Sequence, residues 1–100
     1  MELLNLPPAS DVVRLSRHKV EVPLLGVKNH INLVFTTPDE FLPTTIAVYF
    51  NGQRMRRGAG EDYTVSESGG PGTGYDTITL LDAELAPYAT EQLFADYIQA

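Results

Sequence analysis

Residues 44–52 read Thr44-Thr45-Ile46-Ala47-Val48-Tyr49-Phe50-Asn51-Gly52, and this stretch decides the fold. Ile46, Val48 and Phe50 fall on one side of a period-two alternation, with Ala47 and Tyr49 on the other, which is the pattern of a half-buried β-strand. Asn51 and Gly52 both tolerate positive φ, so the pair predicts a tight type I′ hairpin turn directly after the strand. The chain then returns through Gln53-Arg54-Met55-Arg56-Arg57.

Working outward, the same alternation recurs on both sides. His18–Val22 places Val20 and Val22 on one face, with Lys19 and Glu21 on the other. His30–Thr36 places Ile31, Leu33 and Phe35 together. Tyr63–Val65 and Thr77–Leu81 are rich in β-formers, the latter pairing Ile78 with Leu80. Tyr63 and Tyr97 are expected to look inward and Tyr49 outward. Pro38-Asp39 and Leu42-Pro43 bracket a connection expected to hold little regular structure. Residues 68–74 carry four glycines and a proline, which predicts a mobile loop. The last segment, Glu91–Gln99, suits either of two elements. Leu93, Phe94, Tyr97 and Ile98 would share a helix face, whereas Leu93, Ala95 and Tyr97 would share a strand face. The strand is favoured, because the preceding short strands need a closing partner. The expected fold is all-β, a small antiparallel β-sandwich or jelly-roll-like domain over 12–100, with an extended N-terminal arm over 1–11. Pro7 and Pro8 keep the arm out of any regular element. Leu3, Leu4 and Leu6 give it apolar side chains that need a surface, either the chain's own core or a neighbouring copy.

One hundred residues fit a single domain. Cysteine is absent, which excludes disulfides, thiolate metal sites and a cysteine nucleophile. A small domain without such staples commonly gains stability by oligomerising. The N-terminus has no basic n-region and no sustained apolar run, so neither a secretory signal nor a membrane span is expected. A formal net charge of −6 argues against nucleic acid as partner. The charge is divided: residues up to Arg57 sum to +2, and those from Gly58 onward to −8 with no Lys or Arg. Opposed halves favour contacts between copies, while a plain solvated acidic surface explains the same numbers.

No arrangement of residues predicts chemistry. The glycine-rich loop lacks the Lys-Ser/Thr and the following helix of a phosphate cradle. His18 and His30 have no metal-ligand spacing, and Asp76, Asp82 and Glu84 do not follow a calcium-loop pattern. No Gly-x-Ser-x-Gly elbow is present. No catalytic residue, cofactor or metal is therefore expected, and the chain is not read as an enzyme. Two surfaces remain as binding candidates. Arg54, Arg56 and Arg57 form the only basic cluster; on a strand, Arg54 and Arg56 would share one face, and Met55 and Arg57 the other. They suit an acidic patch on a neighbour, or else guard a strand edge. Tyr49, Tyr75 and Tyr88 could form a sugar platform, although tryptophan is missing.

Taken together, Val48-Tyr49-Phe50-Asn51-Gly52, Asp62-Tyr63-Thr64-Val65, Ile78-Thr79-Leu80 and Tyr97 resemble a small β-sandwich module of virion proteins in tailed bacteriophages, among them tail, fibre and capsid-associated components. The resemblance covers about residues 44–100. It implies a structural subunit of the virion, made in a host cytoplasm, whose partners are other virion proteins and further copies of itself, as a homo-oligomer within a larger assembly. No nucleic acid or membrane enters this reading. The arm (Leu3, Leu4, Leu6), the basic hairpin (Arg54, Arg56, Arg57) and the 69–74 loop are its expected contact surfaces. A stand-alone carbohydrate-binding β-sandwich using Tyr49, Tyr75 and Tyr88 is the alternative.

Overall fold

A computed structural model describes residues 17–100. Seven strands occur in chain order: β1 (His18–Pro23), β2 (Val34–Phe41), β3 (Ala47–Phe50), β4 (Gln53–Arg54), β5 (Tyr63–Ser66), β6 (Tyr75–Leu80) and β7 (Leu93–Ile98). They form two antiparallel sheets, one ordered β1-β7-β3-β4 and the other β2-β6-β5. The chain is an all-β, two-sheet antiparallel sandwich. The N-terminal arm expected over 1–11 lies outside the described residues.

The core is made by the inward side of each alternation. From the four-stranded sheet come Ile46 and Val48, with Leu93, Ala95 and Tyr97 of β7; from the three-stranded sheet come Phe35, Phe41, Tyr63, Ile78 and Leu80. Burying each of the large side chains stabilises the fold by about 1.5–3 kcal/mol. Strand β7 alternates buried and half-buried without a break. It pairs with β1 on one side and β3 on the other, so the C-terminal segment is the inner strand that closes the sheet. Tyr97 donates from its hydroxyl to Asp39 Oδ2 at 3.0 Å, which satisfies the one polar atom of a ring that is 1% exposed.

The sheets are joined at both sides. After β1, Leu24 N donates to Leu93 O while Leu25 pairs with Thr36 of β2, so two consecutive residues bind different sheets. After β4, Arg57 bridges to Tyr63 of β5, and Asp62 N and Tyr63 N both donate to Arg56 O. The Asn51-Gly52 turn forms as expected: Asn51 has φ 50° and Gly52 φ 86°. Asn51 also reaches across to the segment before β7, donating from Nδ2 to Glu91 Oε2 and accepting from Gln92 N.

Several expectations are corrected. The segment read as a strand over His30–Thr36 begins only at Val34 and runs to Phe41, through Pro38. Residues 29–32 instead form a turn in which Asn29 Oδ1 accepts from Ile31 N and Asn32 N. His30 has φ 62°, and Ile31 is 79% exposed rather than inward. Pro38 is accommodated because β2 is an edge strand whose pairing with β6 is interrupted between Thr36 and Phe41. In β1, a bulge between Lys19 and Val22 puts Glu21 at φ 50° and turns Val20 outward, breaking its shared face with Val22. The loop at 69–74 is tied to its flanking residues. Gly70 N donates to Glu67 O, Gly74 N to Glu67 Oε2, and Ser68 to the Asp76 carboxylate through both its backbone N and its hydroxyl.

Candidate functional site

The outer face of the four-stranded sheet carries the residues that stand out for recognition. Antiparallel partners project to the same side. The pairs Pro23–Phe94, Phe94–Tyr49 and Tyr49–Arg54 therefore make one row across β1, β7, β3 and β4. Asp96, two residues along β7, lies in the next row, where the bulge brings Glu21 beside it. Glu21 N donates to Asp96 Oδ1 at 2.7 Å. The bulge thus sets Val20 and Glu21 opposite Asp96 and separates Glu21 from Lys19, which pairs with the inward Tyr97 and belongs to the core side. Tyr49 and Phe94 are half-buried, and with Glu21, Gly52, Gln92 and Asp96 they line a pocket of about 320 Å³.

At the β4 edge the same sheet ends in the basic hairpin. Arg54, Met55, Arg56, Arg57 and Glu61 line an open groove of about 530 Å³. The three arginines are exposed and Met55 is buried. Strict alternation over 54–57 therefore fails. The chain leaves the sheet after Met55, whose N donates to Val48 O, and Arg56 N donates to Asp62 Oδ2 at 2.7 Å. Released from the ladder, Arg57 turns out with the others and its guanidinium donates to Pro43 O. Arg56 lies 3.9 Å from Glu61, the one ion pair among the described residues, and both side chains are well exposed. Such a pair contributes little to stability. Burial raises the Tyr63 phenol above its usual range, and Arg57 and then Arg54 partly offset that rise.

The sequence-derived candidates are brought together only in part. Arg54, Arg56 and Arg57 meet around one groove. Leu3, Leu4 and Leu6 lie outside the described residues. The three tyrosines fall on separate elements: Tyr49 on the outer face of β3, Tyr75 packed at 6.4 Å from the Phe41 ring, and Tyr88 stacked on His30 at 3.9 Å and 9°. No aromatic contact among the described residues joins any two of them. The side chains of three candidate ligands for a metal, Asp76, Asp82 and His30, have other partners. Asp76 accepts from Ser68 and Thr77, which holds its carboxyl below the usual range, the Ser68 hydroxyl being the largest cause. Asp82 accepts from Glu84 N at the start of a short 3-10 turn over Ala83–Leu85. His18 pairs across β7 with Ile98, and His30 Nδ1 donates to Ala86 O at 2.6 Å.

Glu21, Phe94 and Asp96 are the residues that sequence reading missed. Phe94 was legible as the outward member of the β7 alternation. Glu21 was legible as facing away from Val22, but its place beside Asp96 was not, because that depends on a bulge. Comparison of the chain with protein-family models, curated proteins and solved structures finds no match.

Proposed function

We propose that this chain is a structural subunit that works through protein–protein contact, as a tail, fibre or capsid-associated component of a tailed-phage particle. The observation that carries the reading is the outer face of the four-stranded sheet. A half-buried aromatic pair sits at its centre, and an open groove walled by three exposed arginines lies at its edge. Apolar centres with charged rims are how protein interfaces are composed, and arginine and tyrosine are enriched among their anchors. The phage context rests on the resemblance over residues 44–100, and the contact reading rests on the face itself.

Density-gradient sedimentation of lysates from cells making the protein in its native setting tests this. The chain is expected to travel with a large assembly, and Arg54→Glu/Arg56→Glu/Arg57→Glu is expected to return it to the top of the gradient. Migration of the wild-type chain at its own 11.0 kDa mass overturns the reading.

A further inference from the structure

The charges on the outer face of the four-stranded sheet are separated as well as exposed. Glu21 and Asp96 lie on the β1/β7 side, Arg54 and Arg56 on the β4 side, with Tyr49 and Phe94 between them. One Asp96 oxygen accepts from Glu21 N, and no partner for the Glu21 carboxylate occurs among the described residues. The pocket they rim has two aromatic rings on it. Aromatic faces and carboxylates together recognise a cationic group, because ring quadrupole and negative charge attract the same ligand.

We propose that this face is self-complementary, and that the Glu21/Asp96 pocket of one copy receives Arg54 of a second copy. Strand order makes the fit specific. β7 and β4 are the two neighbours of β3, one on each side. A two-fold axis running along β3, in the plane between two facing sheets, therefore lays β4 of each copy over β7 of the other, at a lateral offset of about 5 Å from the axis. Arg54 shares its cross-strand row with Phe94, and Asp96 is two residues further along β7, within reach of a guanidinium. Both contacts form at once by symmetry, as an isologous interface requires. The aromatic pairs meet at the centre, where water is excluded, and they shield the adjoining charge pairs from solvent. A guanidinium is the suitable cation for such a site, since it stacks on rings and pairs with carboxylates at the same time.

This deepens the assembly reading by naming one partner as a further copy of the chain. Its test uses purified protein, separate from any particle. Sedimentation equilibrium of the full-length wild-type chain is expected to show a monomer–dimer equilibrium that weakens as salt rises. Arg54→Glu and Glu21→Arg are each expected to raise the dissociation constant by about tenfold or more, the effect of losing a close charge pair at an interface. Both positions are exposed, and Glu21→Arg keeps a non-glycine residue at φ 50°, so unchanged thermal melts are expected to show that both variants fold. An equimolar mixture of the two variants is expected to restore dimerisation. In the mixed pair, the glutamate at 54 faces the arginine at 21, while the native Arg54 faces a native pocket. A wild-type chain that stays monomeric overturns the proposal. So does a dimer indifferent to both reversals, or a mixture that fails to associate. Any of these leaves the particle-association result free to stand or fall by itself.

Discussion

Replacing Tyr97 by Phe tests the packing of the core and the one phenol–carboxylate bond that ties β7 to β2. The ring is buried and packs at 5.7 Å from Phe41, contacts that phenylalanine keeps. What is lost is the hydroxyl that donates to Asp39 Oδ2 at 3.0 Å. Hydrogen bonds to charged groups contribute about 1.5–3 kcal/mol. Asp39 is half-buried and also accepts from Gln99 Nε2 at 3.3 Å, so the lower end of that range applies at neutral pH. Burial first, and Asp39 second, push the Tyr97 phenol from 10.0 up to about 12. A group whose pKa is higher folded than unfolded contributes stability that is complete below the unfolded value and is lost as pH rises through the folded one. Between pH 8 and pH 11 the wild type is therefore expected to lose about 1.4 kcal/mol through this group, and the variant none. Urea denaturation of both proteins at pH 8 and pH 11 reads the effect as a gap of about 1.5 kcal/mol that shrinks to near zero. A gap of equal size at both pH values refutes the assignment, because the phenol would then titrate alike in the folded and unfolded chain.

Three further substitutions probe features that hold the sheets and loops. Gly26 has φ 150° and a Cβ there would lie 2.6 Å from Phe35 Cδ2, so Gly26→Ala is expected to cost about 2–4 kcal/mol, read as a lowered urea midpoint; an unchanged midpoint would count against the close approach of the β1–β2 crossover to the core. Asn51→Ala removes a residue suited to φ 50° together with its bonds to Glu91 and Gln92, and a loss of about 1–2 kcal/mol is expected by the same assay. Asp76→Ala unties the 67–74 loop, which amide hydrogen exchange at Ser68 and Gly74 should report as faster opening. Because the Asp76 carboxyl is held below 3.8, its contribution is present above that pH and disappears as pH falls further, so wild type and variant should converge in strong acid.

How much of this was legible follows from where local pattern and tertiary context agree. Strand β7 alternates cleanly, β3 and β6 place Val48 with Phe50 and Ile78 with Leu80 at every second position, and the turn residues Asn51 and Gly52 suit positive φ, so those elements read directly from the chain. β2 was misplaced because Pro38 signals a break in a paired strand but is harmless at an open edge. The alternation Ile31-Asn32-Leu33 looks like a strand, yet Asn29 captures two backbone donors and His30 docks on Ala86, which is 56 residues away. The arginine cluster was visible as composition. That all three arginines face outward required the chain to leave the sheet after Met55, where Asp62, six residues on, captures Arg56 N, an irregular contact that a period-two pattern does not record. The acidic side of the same face depended on a bulge at Glu21 whose stabilising partner, Asp96, is 75 residues distant.

We propose that this sandwich serves as a building block of a particle. Quantitative mass spectrometry of purified virions measures it most directly. The chain is expected in many copies per particle, at a fixed ratio to the other structural proteins and retained through washing at moderate salt. Particles that lack the chain, with all of it recovered in the soluble fraction, would contradict the claim.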